Sequence, residues 1–183
     1  MREENLRVMI TKRMLREGLF RCLKRIRLDK LTVSELCKES HVNRATFYNH
    51  YDTPRDILSE IGWEYAEEVK KIFTETSDKS IRDRLEESID VLYKYKDEIK
   101  IIFVNGADAN MTRAVSEIYM WLWQQVGREL IRLNDLDDVG RELIGTSIGW
   151  GSFHLIMKWL TEDIEKTPGE IADMVMSVMQ SVI

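Results

Sequence analysis

The stretch SELCKESHVNRATFYNHY, Ser34–Tyr51, decides how the rest of the chain is interpreted. It has the pattern of two short helices joined by a tight turn, with basic, hydroxyl, amide and aromatic side chains crowded onto the second helix. That is the arrangement of a helix-turn-helix, whose second helix enters the major groove of DNA. The stretch therefore predicts a DNA-binding unit, and no other segment points to a specific chemistry.

The flanking residues predict a small bundle of three helices around this stretch. Apolar residues at three- and four-residue steps favour a first helix from about Leu6 to Ile26. Thr32 is expected to cap the second helix, and Glu35 three residues later completes a capping box. Asn43 is expected to cap the third helix, whose inward side carries Ala45 in part, Phe47 and Tyr51. Phe47 and Tyr51 are expected to be core residues rather than contacts to a partner.

A domain boundary is predicted directly after the bundle. Thr53 is a suitable N-cap and Pro54 suits the first position of a helix, so a long fourth helix begins there. We expect residues 1–52 to form a helix-turn-helix DNA-binding domain. Residues 53–183 are expected to form a larger domain for ligand binding and dimerisation.

The larger domain is also predicted to be helical, which makes the fold class all-α with about nine helices. Apolar periodicity predicts a fifth helix that continues to Ile99, a short sixth near residues 101–104, and a seventh that ends near Asn134. Asp137 is expected to start an eighth helix and Thr167-Pro168 a ninth. No strand, internal repeat or low-complexity segment is predicted.

Composition bounds the class of protein. Apolar residues make up 44% of the 183 residues and charged residues 32%, which suits a soluble protein with a real core. No apolar run approaches the roughly 20 residues that cross a bilayer. The N-terminal MREENLR is not followed by an apolar signal segment, so we expect a cytoplasmic protein without membrane contact.

The net charge of −5 conceals an asymmetry along the chain. Residues 1–55 hold 13 Lys/Arg against 7 Asp/Glu, a balance of +6, and residues 56–183 hold 14 against 25, a balance of −11. A basic segment can be an ordinary solvated face, but here it coincides with the helix-turn-helix. The basic first quarter is therefore expected to meet a polyanion.

The two cysteines, Cys22 and Cys37, do not make a disulfide framework. Each lies on an apolar helical face, and a pair of reduced core thiols is the favoured interpretation. A redox switch between the two thiols is the alternative.

The residues that carry the helix-turn-helix also resemble those of the TetR family of bacterial transcriptional regulators. Thr32, Leu36, Val42, Thr46-Phe47-Tyr48 and His50-Tyr51 fall at the spacing of that family. The C-terminal GWGSFHLIMKWL resembles the branch found in Firmicutes, whose C-terminal domain carries a Gly-rich helix that ends in Trp.

The resemblance implies a homodimer that binds a palindromic operator, a ligand pocket in the larger domain, and dimer contact through the last two helices. Two positions depart from the family pattern. The turn usually contains Gly, but His41 occupies it here. The fourth helix usually starts with a phosphate-binding Lys where this chain has Pro54, and either Arg55 replaces that Lys or the contact is missing.

DNA binding requires two kinds of contact from this segment. Phosphates need cations, hydroxyls and helix N-termini, whereas base edges need exposed side chains on the third helix. Ala45 would allow a close approach, and His50 is equally compatible with a contact or a helix-end hydrogen bond. The predicted phosphate contacts are Thr11, Lys12, Arg13, Thr32, Tyr48, His50 and Arg55. The candidate base contacts are Arg44, Thr46 and Asn49, and the sequence leaves open which of Arg44 and Asn49 reads a base.

The larger domain offers candidates for a pocket and a dimer interface, although ordinary core packing is the competing interpretation for each apolar residue. A helix with small residues at three- and four-residue steps can cross another helix closely. The candidate pocket residues are Trp63, Tyr93, Phe103, Tyr119, Trp123, Phe153, His154 and Met157. The candidate interface residues are Gly145, Gly149, Ser152, Ile156, Val175, Val178 and Met179.

Taken together, the sequence predicts a TetR-like repressor that binds its operator as a homodimer and is released by a small-molecule effector. The alternative is a helical activator or coactivator that acts through a protein partner. An enzyme is disfavoured because the sequence has no metal-binding spacing, no Gly-rich phosphate loop and no nucleophile elbow. No metal or cofactor is predicted.

Overall fold

The computed structural model describes residues 2–75, 78–106, 120 and 137–180, and within these ranges the chain is helical without strands. This confirms the all-α prediction. The described α-helices are α1 (Arg2–Leu23), α2 (Val33–Ser40), α3 (Arg44–Tyr48), α4 (Pro54–Glu75), α5 (Ile81–Lys94), α6 (Lys96–Ile101), α7 (Asp138–Thr161) and α8 (Pro168–Gln180). A 3-10 turn covers Leu28–Lys30, and a π-helical segment covers Ile102–Gly106.

Helices α1 and α2 cross closely where α1 carries a glycine. A Cβ atom added to Gly18 would lie 2.6 Å from the Cβ and 2.9 Å from the Cα of Ser40. A side chain at position 18 therefore requires the α2 backbone to shift. The fully buried Leu19 and Leu36 are part of the apolar core that these helices share with α3.

Helix α4 begins at Pro54, as predicted from the sequence. The Asp56 carboxylate accepts hydrogen bonds from the backbone N–H groups of Asp52 (3.0 Å) and Thr53 (2.7 Å), which fixes the approach to the helix. Placing an acidic side chain in the first turn also complements the helix dipole.

The described chain separates into two compact units. One comprises Met1–Trp63 and Lys100–Ala109, and the other comprises Glu64–Ile99 and Asn110–Ile183. Helix α4 thus begins in the first unit and continues into the second. The functional boundary at residue 52 stays a prediction, because compactness does not assign binding roles.

The predicted fifth helix does not run unbroken to Ile99. It ends at Lys94, and Tyr95 leaves the helical region with φ −101° and ψ 14° before α6 starts at Lys96. The Tyr95 ring stacks on Tyr65 of α4 at 4.1 Å, and its hydroxyl donates to Glu68 over 2.7 Å. This tertiary contact interrupts a pattern whose apolar periodicity alone predicted one helix.

Helices α5, α7 and α8 pack together in the second unit. The Arg82 Nε of α5 donates to Asp173 of α8 over 2.7 Å, and this contact lowers the pKa of Asp173. Asp137 caps α7 by accepting from the N–H of Gly140 over 2.8 Å. The starts of both α7 and α8 agree with the sequence prediction.

The predicted seventh helix lies outside the described residues. None of the described helices is long and apolar enough to cross a membrane.

Candidate DNA-binding surface

Helix α3 separates a buried anchor from an exposed polar face within five residues. The Asn43 side chain caps it by accepting from the N–H of Thr46 over 2.8 Å, as predicted. Phe47 has no exposed surface, whereas Arg44 and Asn49 are exposed. Anchoring through Phe47 therefore turns the guanidinium and amide groups toward solvent. Tyr48 is exposed as well, and Thr46 and His50 are half-buried. Ala45, which was predicted to face partly inward, is also exposed, because Phe47 fills the inward side of this short helix.

Aromatic rings support α3 from within the first unit. The Phe47 ring meets Tyr48 edge-on at 5.3 Å and Tyr51 at 6.2 Å. Tyr48 is 50% exposed, so its ring packs on the anchor while part of the side chain stays in water. His50 lies 6.4 Å from the Tyr51 ring. The predicted inward positions of Phe47 and Tyr51 agree with this arrangement.

His41 stands in a left-handed backbone conformation between α2 and α3. Its φ of 56° and ψ of 29° make it the one non-glycine residue with positive φ in the described parts of the chain. The His41 N–H donates to the backbone carbonyl of Cys37, so the residue closes α2. Glycine adopts this conformation without a steric penalty. The departure from the family pattern at His41 therefore places local backbone strain directly before α3.

The start of α2 has the predicted capping box. Thr32 Oγ1 accepts from the N–H of Glu35 over 3.2 Å, and the Glu35 carboxylate accepts from the N–H of Thr32 over 3.0 Å. The hydrogen bonds that the Glu35 carboxylate accepts from the Thr32 hydroxyl and then from the Thr32 N–H lower the pKa of Glu35. Thr32 is exposed, but a phosphate would have to compete with Glu35 for its N–H and hydroxyl donors.

Two predicted phosphate-binding cations of α1 already contact acidic side chains of this chain. The Lys12 ammonium donates to both oxygens of Glu60 on α4 at 2.8 and 2.9 Å, and lies 5.4 Å from the centre of the Tyr51 ring. Arg13 pairs with Glu17 at 2.9 Å on the exposed side of α1. Thr11 is half-buried and Arg55 is exposed. Lys12 is therefore paired with α4, a contact that the sequence analysis did not predict because Glu60 is 48 residues away.

A second charged cluster, at the end of α2, was also not predicted from the sequence. Glu39 at the end of α2 accepts from Arg21 at 3.0 Å and from Arg25 at 2.7 Å. Hydrogen bonds from Arg25 and then Arg21 lower the pKa of the Glu39 carboxyl. Part of the basic excess in the first quarter therefore tightens the α1–α2 packing and is not an open cationic face.

Both cysteines are buried as free thiols. Burial, followed by the charge of Glu39, raises the pKa of Cys22, and burial raises that of Cys37 against the effect of Arg44. A raised pKa reduces the thiolate fraction, and the thiolate is the reactive form. These surroundings favour the interpretation of both cysteines as core residues.

The predicted pocket residues are dispersed, and Tyr119 and Trp123 lie outside the described residues. Phe153 and Met157 of α7 are buried, whereas Trp63 and Tyr93 are exposed. The Tyr93 ring nevertheless stacks on Trp159 at 5.1 Å. Phe103 is half-buried in the π-helical segment, and with Trp63 it belongs to the first unit.

His154 was predicted to be the polar anchor of the pocket, but it lies on the exposed side of α7. The side chain is exposed, and its Nδ1 lies 2.9 Å from the backbone carbonyl of Trp150 one turn earlier. The ring also lies 5.7 Å from Phe153 and 6.0 Å from Trp150. His154 is thus an exposed member of an aromatic cluster on α7 that also contains the exposed Trp150 and the buried Phe153.

The candidate interface residues divide by exposure. Gly149, Ser152, Ile156, Val175 and Met179 are buried within the single chain, and Gly145 and Val178 are half-buried. The same two helices expose Val139, Leu143, Trp150 and Met174, none of which was in the predicted set. Val139, Leu143 and Trp150 are four and seven residues apart, a spacing that puts them on one face of α7.

The comparisons with known proteins agree with this architecture. Residues 79–181, more than half of the chain, match the TetR-type family described as the transcriptional regulator C-terminal region. A search of curated proteins gave no significant match.

Solved structures share the fold at low sequence identity. A TetR transcriptional regulator from Streptococcus agalactiae superposes with a TM-score of 0.75 at 16% identity, covering 96% of this chain and 97% of that one. The fatty acid degradation regulator FadR from Bacillus halodurans gives 0.67 at 14% identity, with coverages of 93% and 94%. A TetR-family regulator from Syntrophomonas wolfei gives 0.67 at 15%, with 94% of both chains covered. On its family match and fold, the chain belongs to the TetR family of transcriptional regulators and is not an enzyme.

Proposed function

We propose that the protein is a cytoplasmic transcriptional repressor that binds a palindromic operator as a homodimer and releases it when a small-molecule effector binds. The observation that carries the DNA-binding part is the exposed polar face of α3, held by the buried Phe47 ring and the Asn43 cap. Arg44 and Asn49 present the groups that read guanine and adenine in the major groove.

Phosphate contacts are proposed around this face. Tyr48 is exposed at the end of α3, and Arg55 is exposed at the start of α4. Lys12 and Arg13 of α1 are paired with Glu60 and Glu17. Such partly exposed ion pairs are weak, so a phosphate can take over the cations. We expect Lys12 to contribute less than Arg44, because Lys12 must leave a partner first.

Dimerisation is proposed through α7 and α8. Leu143 is 64% exposed and Trp150 38% on one face of α7, and Met174 of α8 is 42% exposed. Large apolar side chains grouped on a surface favour contact with another protein surface. A second copy is the proposed partner, because a palindromic site requires two recognition helices about 34 Å apart.

The test is selection of DNA fragments by the purified protein, followed by measurement of operator affinity at several salt concentrations. We expect an inverted repeat and a steep fall in affinity with salt, because bound cations displace counterions from the phosphates. Selection of no sequence, or a flat salt dependence, would contradict the DNA-binding proposal. Such a result would favour the coactivator alternative.

A further inference from the structure

Ser152 of α7 has a buried hydroxyl whose hydrogen-bonding capacity is unused. The residue has no exposed surface, and its Oγ has no hydrogen-bond partner among the residues that the structure describes. A buried polar group without a partner lowers stability, so most proteins avoid it. An unpaired hydroxyl at a fully buried position therefore needs an explanation.

The other two buried serines in the described part of the chain show what a structural serine does. Ser40 donates to the carbonyl of Leu36 over 2.7 Å, and Ser88 donates to the carbonyl of Arg84 over 2.8 Å. Both bonds run four residues back along the helix, which is the ordinary way for a helical serine to satisfy itself. Ser152 has the same option toward Ile148 and does not take it.

The face of α7 around Ser152 is apolar and uncharged. Ile148 and Ile156, one turn before and one turn after Ser152, are buried, and so are Phe153 and Met157. Asp138, Glu142 and Lys158, the Asp, Glu and Lys side chains described on α7, are all exposed. Helix α7 therefore supplies no buried charge to compensate a charged partner at Ser152, and a neutral partner suits this helix better.

Small residues extend this face toward the N-terminus of α7. Gly145 and Gly149 lie seven and three residues before Ser152, so all three are on the same side of the helix. Glycine contributes no side-chain atoms, which lets another group approach the helix closely. Ser152 is the polar side chain on this side of the helix.

We propose that the Ser152 hydroxyl donates a hydrogen bond to the effector, and that the effector is a largely apolar molecule carrying a neutral acceptor such as a ketone or ester carbonyl. This inference rests on the proposed function, in which an effector controls operator binding, and it names the chemical class of that effector. It also assigns the polar contact to Ser152, because His154 is exposed and already contacts the Trp150 carbonyl.

The first measurement compares the stability of two serine variants without any ligand. Ser152→Ala removes an unpaired hydroxyl, so we expect an unchanged or higher Tm. Ser88→Ala, the matched control, removes a buried hydroxyl that has a partner, and we expect its Tm to fall by about 2–4 °C. If the Tm of Ser152→Ala falls by as much as the Tm of Ser88→Ala, the Ser152 hydroxyl is structural and the proposal is overturned.

The second measurement uses 2-nonanone and nonane as probes in calorimetric titrations of the full-length protein. We expect 2-nonanone to bind the wild type more tightly than nonane, and Ser152→Ala to weaken 2-nonanone by up to about tenfold while leaving nonane unchanged. Ser88→Ala should keep the wild-type preference. The proposal is overturned if the preference persists in Ser152→Ala or if the wild type does not bind 2-nonanone.

Operator affinity without probes is measured in parallel. A protein that selects its operator but shows no Ser152-dependent ketone binding keeps the DNA-binding function and loses this effector assignment. A protein that binds the ketone through Ser152 without recognising any operator loses the proposed repressor function and keeps the binding site. The two failures are therefore distinguishable.

Discussion

Helices α3 and α7 both present large side chains to solvent, but the chemistry of the two exposed surfaces differs. Helix α3 exposes Arg44 and Tyr48, and its C-cap Asn49 is exposed as well; each of these side chains carries hydrogen-bonding groups. Helix α7 exposes Leu143, an aliphatic side chain, and Trp150, whose surface is mostly apolar. Polar groups suit phosphates and base edges, whereas an apolar stripe gains free energy mainly by leaving water. The two surfaces are therefore suited to different classes of partner, a polyanion and a protein.

The two helices also differ in how they are held. Helix α3 has five residues, and a helix that short does not persist in water by itself. Its position depends on Phe47 and on the turn at His41. Helix α7 has 24 residues and buries side chains along much of its length. A single substitution should therefore disturb the geometry of α3 far more than that of α7.

The largest effect is expected from Phe47→Ala. Removing a fully buried aromatic ring should lower the free energy of unfolding by about 3–5 kcal/mol and abolish operator binding. Urea denaturation at fixed protein concentration measures the change. The neighbouring Tyr48→Ala, at a half-exposed position, should cost less than about 1 kcal/mol. Equal losses from the two variants would mean that α3 is not held by a single anchor.

Arg44→Ala should leave folding intact and weaken operator binding by about 1–3 kcal/mol, roughly 5- to 150-fold. Fluorescence anisotropy with labelled operator measures the affinity. Arg27→Ala is the matched control, because Arg27 is equally cationic and exposed but pairs with Asp29 outside α3. If the two variants lose operator affinity equally, the overall basic charge of the first unit accounts for binding, and Arg44 does not read the base sequence of the operator.

Leu143→Glu tests whether the exposed apolar surface of α7 is the dimer interface. A carboxylate in the exposed apolar stripe of α7 should raise the dimer dissociation constant at least about tenfold, or 1.4 kcal/mol. Analytical ultracentrifugation measures it. Lys71→Glu introduces the same side chain at an exposed position of α4 and should leave the dimer unchanged. An unaffected dimer in Leu143→Glu would place the interface elsewhere.

The same contrast explains what could be predicted from the sequence. The helix-turn-helix is specified by residues close together in the chain, so Thr32, Asn43, Phe47 and Pro54 were each placed correctly by local rules of capping and periodicity. These rules depend on neighbours within one or two helical turns. Local sequence was sufficient wherever local contacts decide the structure.

Features set by distant residues could not be predicted in this way. Glu60 lies 48 residues from Lys12, and Tyr65 lies 30 residues from the Tyr95 ring that interrupts the fifth helix. Periodicity showed that α7 is apolar on several sides, but it did not distinguish the buried Ser152 from the exposed Trp150. That distinction depends on which neighbouring helix covers each face.

The smallest predicted effect concerns the turn that positions α3. His41→Gly should raise the free energy of unfolding by about 0.5–1 kcal/mol, because glycine occupies the left-handed region without a Cβ clash but loses more chain entropy on folding. Gly18→Ala should act in the opposite direction, since its Cβ would meet the Ser40 backbone at 2.9 Å. Thermal unfolding measures both, and operator affinity shows whether relief of strain moves α3. If His41→Gly stabilises the protein and leaves operator affinity unchanged, the turn controls folding alone. A stabilised variant that binds more weakly would show that the strained histidine sets the presentation of Arg44 and Asn49.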